Sequence, residues 1–169
     1  ESLTFAELGL NSALLKALPA TLAHPTKVQQ LAIPAILAGR DLLALAQTGS
    51  GKTLAFGLPL LQQILLQQQT QLQGAKSVQP PNALALVLVP TRELALQVTE
   101  ALQTVASQLS TSLNIQLLCG GVPLEDQLAE LAAKPQVLVA TPGRLLDLCK
   151  QSHVSLDSIK HLVLDEADR

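Results

Sequence analysis

The sequence predicts an α/β fold: a mostly parallel sheet with helices on both faces. Two observations predict it. Five short runs are almost wholly apolar rather than alternating, as strands are when both faces of the sheet are covered. Helical stretches of about two to five turns separate them, a rhythm that implies right-handed βαβ units in one open sheet. Hydrophobic residues make up 48% of the 169 and charged residues 14%, enough apolar material for a core. Aromatics total 1%, Phe5 and Phe56, so the core is built from Leu, Ala, Val and Ile.

The elements follow in order. Asn11 or Ser12 caps a first helix carrying Leu14, Leu15 and Leu18, and Thr26 caps a second that ends near Gly39. The strands are Leu42 to Ala46, Leu84 to Val89, Ile115 to Leu118, Val137 to Ala140 and Leu162 to Leu164, all read as buried. The helices between them run over about 52–68, 92–108, 124–133 and 143–150. The Gln-rich segment from Gln67 to Asn82, with Gly74, Pro80 and Pro81, reads as a frayed helix end and a mobile loop. Residues 1–40 form a leading region and 41–169 a core, a single domain overall.

Several classes are excluded or disfavoured. No stretch reaches the ~18 apolar residues of a membrane span, and the first residues carry no signal pattern. Net charge is −2, so nucleic acid is not held by bulk positive charge, although a few arginines and backbone amides can still grip it. Cys119 and Cys149 lie 30 positions apart without metal or disulfide spacing, as expected of thiols in a reducing cytosol. A cytoplasmic protein follows as an expectation.

Chemistry concentrates at a few places. Ala46-Gln47-Thr48-Gly49-Ser50-Gly51-Lys52-Thr53 follows an apolar strand and opens a helix, the setting of a phosphate-binding loop. Gly49 and Gly51 let backbone N–H groups converge on phosphate oxygens, and the helix adds free donors and a positive dipole end. Lys52 reaches the β- and γ-phosphates, and Thr53 offers its hydroxyl to Mg²⁺. The strict pattern begins with Gly where this chain has Ala46. Asp165-Glu166-Ala167-Asp168 follows Leu162-Val163-Leu164 directly. Carboxylates at the C-terminal end of a parallel strand sit where ligands bind in such sheets. Asp165 suits Mg²⁺, and Glu166 suits the deprotonation of a water attacking the γ-phosphate.

With these two motifs in place, the chain resembles the first RecA-like domain of a DEAD-box ATP-dependent RNA helicase of the bacterial type, a P-loop NTPase fold. The resemblance covers nearly the whole chain. Pro90-Thr91-Arg92-Glu93-Leu94-Ala95 and Thr141-Pro142-Gly143-Arg144 match two RNA-contacting motifs, and Gly120-Gly121 matches the family's glycine pair. Thr91 and Thr141 are good N-cap residues, so each motif also places helix N–H donors beside an arginine.

Pro25-Thr26-Lys27-Val28-Gln29 resembles the motif whose glutamine reads adenine. An amide offers both donor and acceptor, so Gln29 can pair with N6 and N7. Thr26-x-x-Gln29 is equally a capping box, and the two roles are compatible. Phe5 stands where the family has an isolated aromatic against the base; a core Phe is the other reading. Leu22 stands where the family often has a further aromatic.

The resemblance implies ATP and Mg²⁺ as cofactors and RNA bound through its backbone without sequence preference. It implies that the family's Ser-Ala-Thr strand and second RecA-like domain lie outside these residues, leaving the fold incomplete at its C-terminus. An incomplete sheet makes self-association of the fragment an expectation. Two rival readings remain: a binding module without turnover, and another P-loop NTPase such as a GTPase or a DNA translocase.

Overall fold

The structure, a computed structural model, describes residues 3–39, 51–74 and 83–165. The chain divides into two compact units, Glu1–Ala75 with Thr104–Ser112, and Lys76–Gln103 with Leu113–Arg169. The expected strand from Leu42 to Ala46 lies outside the described residues.

The first unit is helical among its described residues. A 3-10 turn at Ala6–Leu8 closes on Gly9, whose φ of 108° suits a residue without Cβ. Helix α1 (Ser12–Ala17) is capped by Asn11, which accepts from the Leu14 N–H at 3.1 Å. Helix α2 (Lys27–Leu37) is capped by Thr26 and packs along helix α3 (Lys52–Gly74). Leu14, Ile33, Leu58, Leu61 and Ile64 are fully buried in this unit. Gln62 sits among them and is satisfied, as buried polar groups generally are. It accepts from the Asn11 N–H at 2.7 Å and donates to the Gly9 carbonyl at 3.1 Å, pinning the leading turn to α3. Helix α3 runs to Gly74, past the expected fraying at Gln67. Gln and Leu are good helix formers, and no Gly or Pro interrupts the run between Pro59 and Gly74.

The second unit carries the sheet. Its elements are β1 (Ala85–Leu88), the start of α4 (Arg92–Ala106), β2 (Ile115–Leu118), α5 (Leu124–Leu131), β3 (Val137–Ala140), α6 (Pro142–Lys150) and β4 (His161–Leu164). All pairs are parallel, in the order β2-β3-β1-β4. The α/β class and the parallel sheet are as expected, and β2 and β3 have the expected bounds. The register sets Leu118, Ala140, Leu88 and Leu164 level at the C-terminal edge. Leu86, Leu118, Leu138 and Ala140 form a buried cluster with Leu145 and Leu148 of α6, and Leu128 and Leu131 of α5 pack against it.

One strand departs from expectation. Leu162 and Leu164 of β4 are 59% and 57% exposed rather than buried. β4 borders the described sheet and pairs with β1 alone. Leu162 and Leu164 share the face of Leu86 and Leu88, yet the cluster built by α5 and α6 does not include them.

Candidate functional site

In the first unit, the start of α3 is gripped from α2. Thr26 and Gln29 form the reciprocal capping box: the Gln29 N–H donates to the Thr26 hydroxyl at 3.4 Å, and the Thr26 N–H donates to Gln29 Oε1 at 2.9 Å. Gln29 Nε2 then donates to the Gly51 carbonyl at 3.1 Å. That carbonyl also takes the Ala55 N–H at 3.1 Å, the first bond of α3. Gly51 has φ +86°, and a Cβ there would stand 2.6 Å from Gln29 Nε2 and 2.9 Å from Thr26 Oγ1. Glycine is therefore required on two counts, conformation and space. Lys52 and Thr53 follow as the first residues of α3, half-buried at the positive end of a 23-residue helix. Gln29 itself is 1% exposed. Its two bonds leave one acceptor lone pair and one N–H of the amide uncommitted among the described residues. Phe5 is 4% exposed, buried as the core reading has it; stacking on a base would require the ring to gain exposure.

In the second unit, four expected segments leave the same edge of the sheet. Pro90-Thr91-Arg92 follows β1, Gly120-Gly121 follows β2, Thr141-Pro142-Gly143-Arg144 follows β3 and Asp165 follows β4. Backbone bonds extend the ladder beyond the strands: the Val89 N–H donates to the Ala140 carbonyl at 3.0 Å, Thr141 to Leu118 at 3.0 Å and Asp165 to Leu88 at 2.9 Å. Asp165 is 7% exposed at this edge. Pro90, Thr91, Arg92, Gly120, Gly121, Pro142 and Gly143 are exposed.

Two arginines meet the glycine turn. Gly121 has φ +85°, and a Cβ on it would collide with the Arg92 guanidinium, which lies over the turn. At the next residue, Arg144 Nη1 donates to the Val122 carbonyl at 3.2 Å and also to Gln127 Oε1 at 2.8 Å. Segments distant in sequence thus place two cations against one turn.

Thr91 caps α4 as expected, accepting from the Leu94 N–H at 3.2 Å. Thr141 occupies the N-cap backbone position of α6, but its hydroxyl accepts nothing from that helix. Backbone bonds hold it instead: its N–H donates to Leu118, and its carbonyl takes the Leu145 N–H at 3.1 Å. The first-turn amides of α6 are left without a side-chain cap, facing the edge that carries Arg144.

Gln47, Thr48, Gly49, Ser50 and Glu166 lie outside the described residues. The sequence reading missed Gln127 and Gln116. Gln127 is 2% exposed and joins Arg144 to the Cys119 carbonyl, to which its Nε2 donates at 3.0 Å. Gln116 Nε2 donates to the Gln127 carbonyl at 3.0 Å, while Gln116 Oε1 is buried without a hydrogen-bond partner among the described residues. A polar residue inside an otherwise apolar helix face or strand, as at Gln116 in β2, was the available signal. Among the described residues, no group of three His, Cys, Asp or Glu side chains is placed to hold a metal.

Residues 26–169 match the family model described as DEAD/DEAH box helicase. The ATP-dependent rRNA helicase RRP3 of Gibberella zeae is 43% identical over 168 residues, 98% of this chain and 32% of its own length. DEAD-box ATP-dependent RNA helicase 10 of Arabidopsis thaliana is 45% identical over 169 residues, with 98% and 36% covered. The ATP-dependent RNA helicase CshA of Limosilactobacillus reuteri is 41% identical over 165 residues, with 97% and 30% covered. The chain spans about a third of the length of the curated relatives it matches.

Proposed function

This chain belongs to the DEAD/DEAH box helicase family, and we propose that it supplies the ATP-binding site and part of the RNA grip of an ATP-dependent RNA helicase. The observation that carries the reading is the shared sheet edge, where two arginines meet the glycine turn that follows β2 and Asp165 follows β4. In open α/β sheets that edge is where ligands bind.

For the nucleotide, the amides from Gln47 to Gly51 and the N-terminus of α3 cradle the phosphates. Lys52 neutralises the β- and γ-phosphates. The uncommitted half of the Gln29 amide meets the N6 and N7 edge of adenine; guanine presents an acceptor where adenine has a donor. The Thr53 hydroxyl and the Asp165 carboxylate are hard oxygen donors of the kind Mg²⁺ takes alongside phosphates and water. Mg²⁺, when bound, neutralises charge on the β- and γ-phosphate oxygens. Glu166 takes a proton from the attacking water as its oxygen bonds to the γ-phosphorus and the bond to ADP breaks.

For RNA, Arg92 and Arg144, the amides of Gly120, Gly121 and Gly143, and the flanks at Pro90, Thr91, Thr141 and Pro142 contact successive backbone phosphates of one strand. With aromatics at 1%, no platform for base stacking exists in the sequence. The grip is therefore blind to sequence and can sense the 2′-OH. A second RecA-like domain of the same protein completes the RNA surface and the γ-phosphate site, where an arginine finger is worth ~10³–10⁵ in rate.

The test is ATP and GTP turnover with and without single-stranded RNA, on the full-length protein and on this chain. RNA-stimulated turnover of ATP, strongly preferred over GTP, is expected of the full-length protein and only a trace of it from the chain. In the full-length protein, Glu166→Gln is expected to abolish turnover while ATP binding persists. Equal use of ATP and GTP, or turnover indifferent to RNA, overturns the reading.

A further inference from the structure

We propose that Gln127 is a positioning residue of the RNA grip: its buried amide holds Arg144 in place without cancelling the arginine's charge. The inference rests on the reading of Arg144 as a phosphate contact and assigns a role to a residue outside the recognised motifs.

Arg144 is tied to the protein through its guanidinium. Both N–H groups of Nη1 are spent inside the protein, one on Gln127 Oε1 at 2.8 Å and one on the Val122 carbonyl at 3.2 Å. A guanidinium carries five N–H donors in a rigid plane. Fixing one nitrogen by two bonds therefore fixes the direction of the other three donors, on Nε and Nη2. Those have no partner among the described residues. Arg144 is half-buried, and a cation in such a place is ordinarily paired with a carboxylate. Here both acceptors are neutral, so the positive charge stays available to an anion arriving at the edge.

Gln127 is suited to this by being an amide. Its Oε1 holds Arg144 while its Nε2 donates to the Cys119 carbonyl at 3.0 Å. Its own carbonyl accepts from Gln116 Nε2 at 3.0 Å. The residue is thus anchored from α5 to the end of β2, directly before the Gly120-Gly121 turn, and is 2% exposed. A glutamate would lose the donor to Cys119, set a carboxylate against a carbonyl oxygen and neutralise Arg144. An apolar residue would free the arginine to sample many rotamers, so that ordering it on a phosphate would cost side-chain entropy.

The experiment is a double-mutant cycle on the full-length protein, read as the affinity of a labelled short uridine strand at several salt concentrations, with thermal unfolding run on every variant. Arg144→Ala is expected to weaken binding about tenfold to a hundredfold and to lower the salt slope by about 0.7, the value of one phosphate contact on a single strand. Gln127→Glu is expected to do both to a similar extent, with Arg144 still present, and to add nothing in the Arg144→Ala background. Should Gln127→Glu fail to fold, Gln127→Met enters the same cycle. It removes Oε1 at similar volume, so binding is expected to weaken several-fold with the slope kept, again with no further effect once Arg144 is gone. Wild-type affinity and slope in the Gln127 variants overturn the inference, as does an equal loss with and without Arg144, which would mark Gln127 as merely structural. If Arg144→Ala itself binds like the wild type, the phosphate reading of Arg144 falls, and the role of Gln127 falls with it.

Discussion

Two buried glutamines do opposite things in the two units. Gln29, 1% exposed, ties backbone to backbone: it accepts from Thr26 and donates to Gly51. Every group it joins is neutral, and what remains of its amide suits a neutral partner such as a base edge. Gln127, 2% exposed, ties backbone to a cation, Cys119 to Arg144, and leaves that cation's charge uncompensated. Under the proposed function, the same side chain prepares a base-reading site in one unit and a phosphate-reading site in the other. What the amide braces, more than the amide itself, sets the chemistry.

The largest effect is expected where the Gln29 brace meets Gly51. Alanine there costs about 1–2 kcal/mol for the left-handed backbone and about 1–3 kcal/mol for crowding against Gln29 and Thr26. Gly39→Ala separates the two contributions. Gly39 has φ +81° but nothing within 4 Å of a Cβ, so it bears only the backbone cost. Thermal unfolding should place Gly51→Ala well below Gly39→Ala, and ATP titration should show weakened binding for Gly51→Ala alone. Equal behaviour of the two variants would show that Thr26 and Gln29 do not hold the loop.

Next comes the brace itself. Gln29→Ala is expected to weaken ATP binding by about 1–3 kcal/mol and to narrow the preference for ATP over GTP. The same substitution should leave RNA affinity measured without nucleotide unchanged, since Gln29 is not in the unit that carries Arg92 and Arg144. A variant that loses ATP affinity yet keeps full discrimination against GTP would confine Gln29 to capping.

On the RNA side, Gly121→Ala forces the Arg92 guanidinium off the turn and adds left-handed strain. RNA binding should weaken several-fold, while ATP affinity without RNA stays as it was. Gly120→Ala is the matched control, because a Cβ there meets nothing within 4 Å and its φ is ordinary. If both alanines weaken RNA binding alike, the placement of Arg92 is not what the glycine provides.

The contrast between the two glutamines also explains what was legible in the sequence. Thr26 and Gln29 lie three residues apart, and a capping box is a local pattern, so it could be read directly. Gln127 and Arg144 lie 17 residues apart and meet only because β3 carries the chain back beside β2. No spacing rule records that. Likewise, β2 and β3 were readable to the residue because they are buried on both faces, which their composition encodes. β4 has the same composition, but burial depends on what covers a strand, and Leu162 and Leu164 lie beyond the cluster of α5 and α6. Thr141 had the residue type of a cap and the backbone position, yet its hydroxyl makes no bond to the helix, which residue type alone does not decide.

The smallest expected effect tests β4 by pH. Burial lowers the pKa of His161 below its ordinary 6.5, since desolvation disfavours the charged imidazolium. Its folded pKa therefore lies below its unfolded one. Above 6.5 the group is neutral in both states and contributes nothing to the pH dependence. As pH falls through 6.5, the unfolded chain takes up the proton first, and stability declines until the folded pKa is reached. His161→Gln removes that titration while keeping a polar side chain of similar size. Unfolding midpoints of the two proteins should run parallel above 6.5 and diverge below it, the wild type losing more. Because β4 is half open on the face that bears Leu162 and Leu164, the divergence should be modest. A wild type that loses no more than the variant would mean that the imidazole is hydrated in the folded state, and that both faces of β4, not one, stand open.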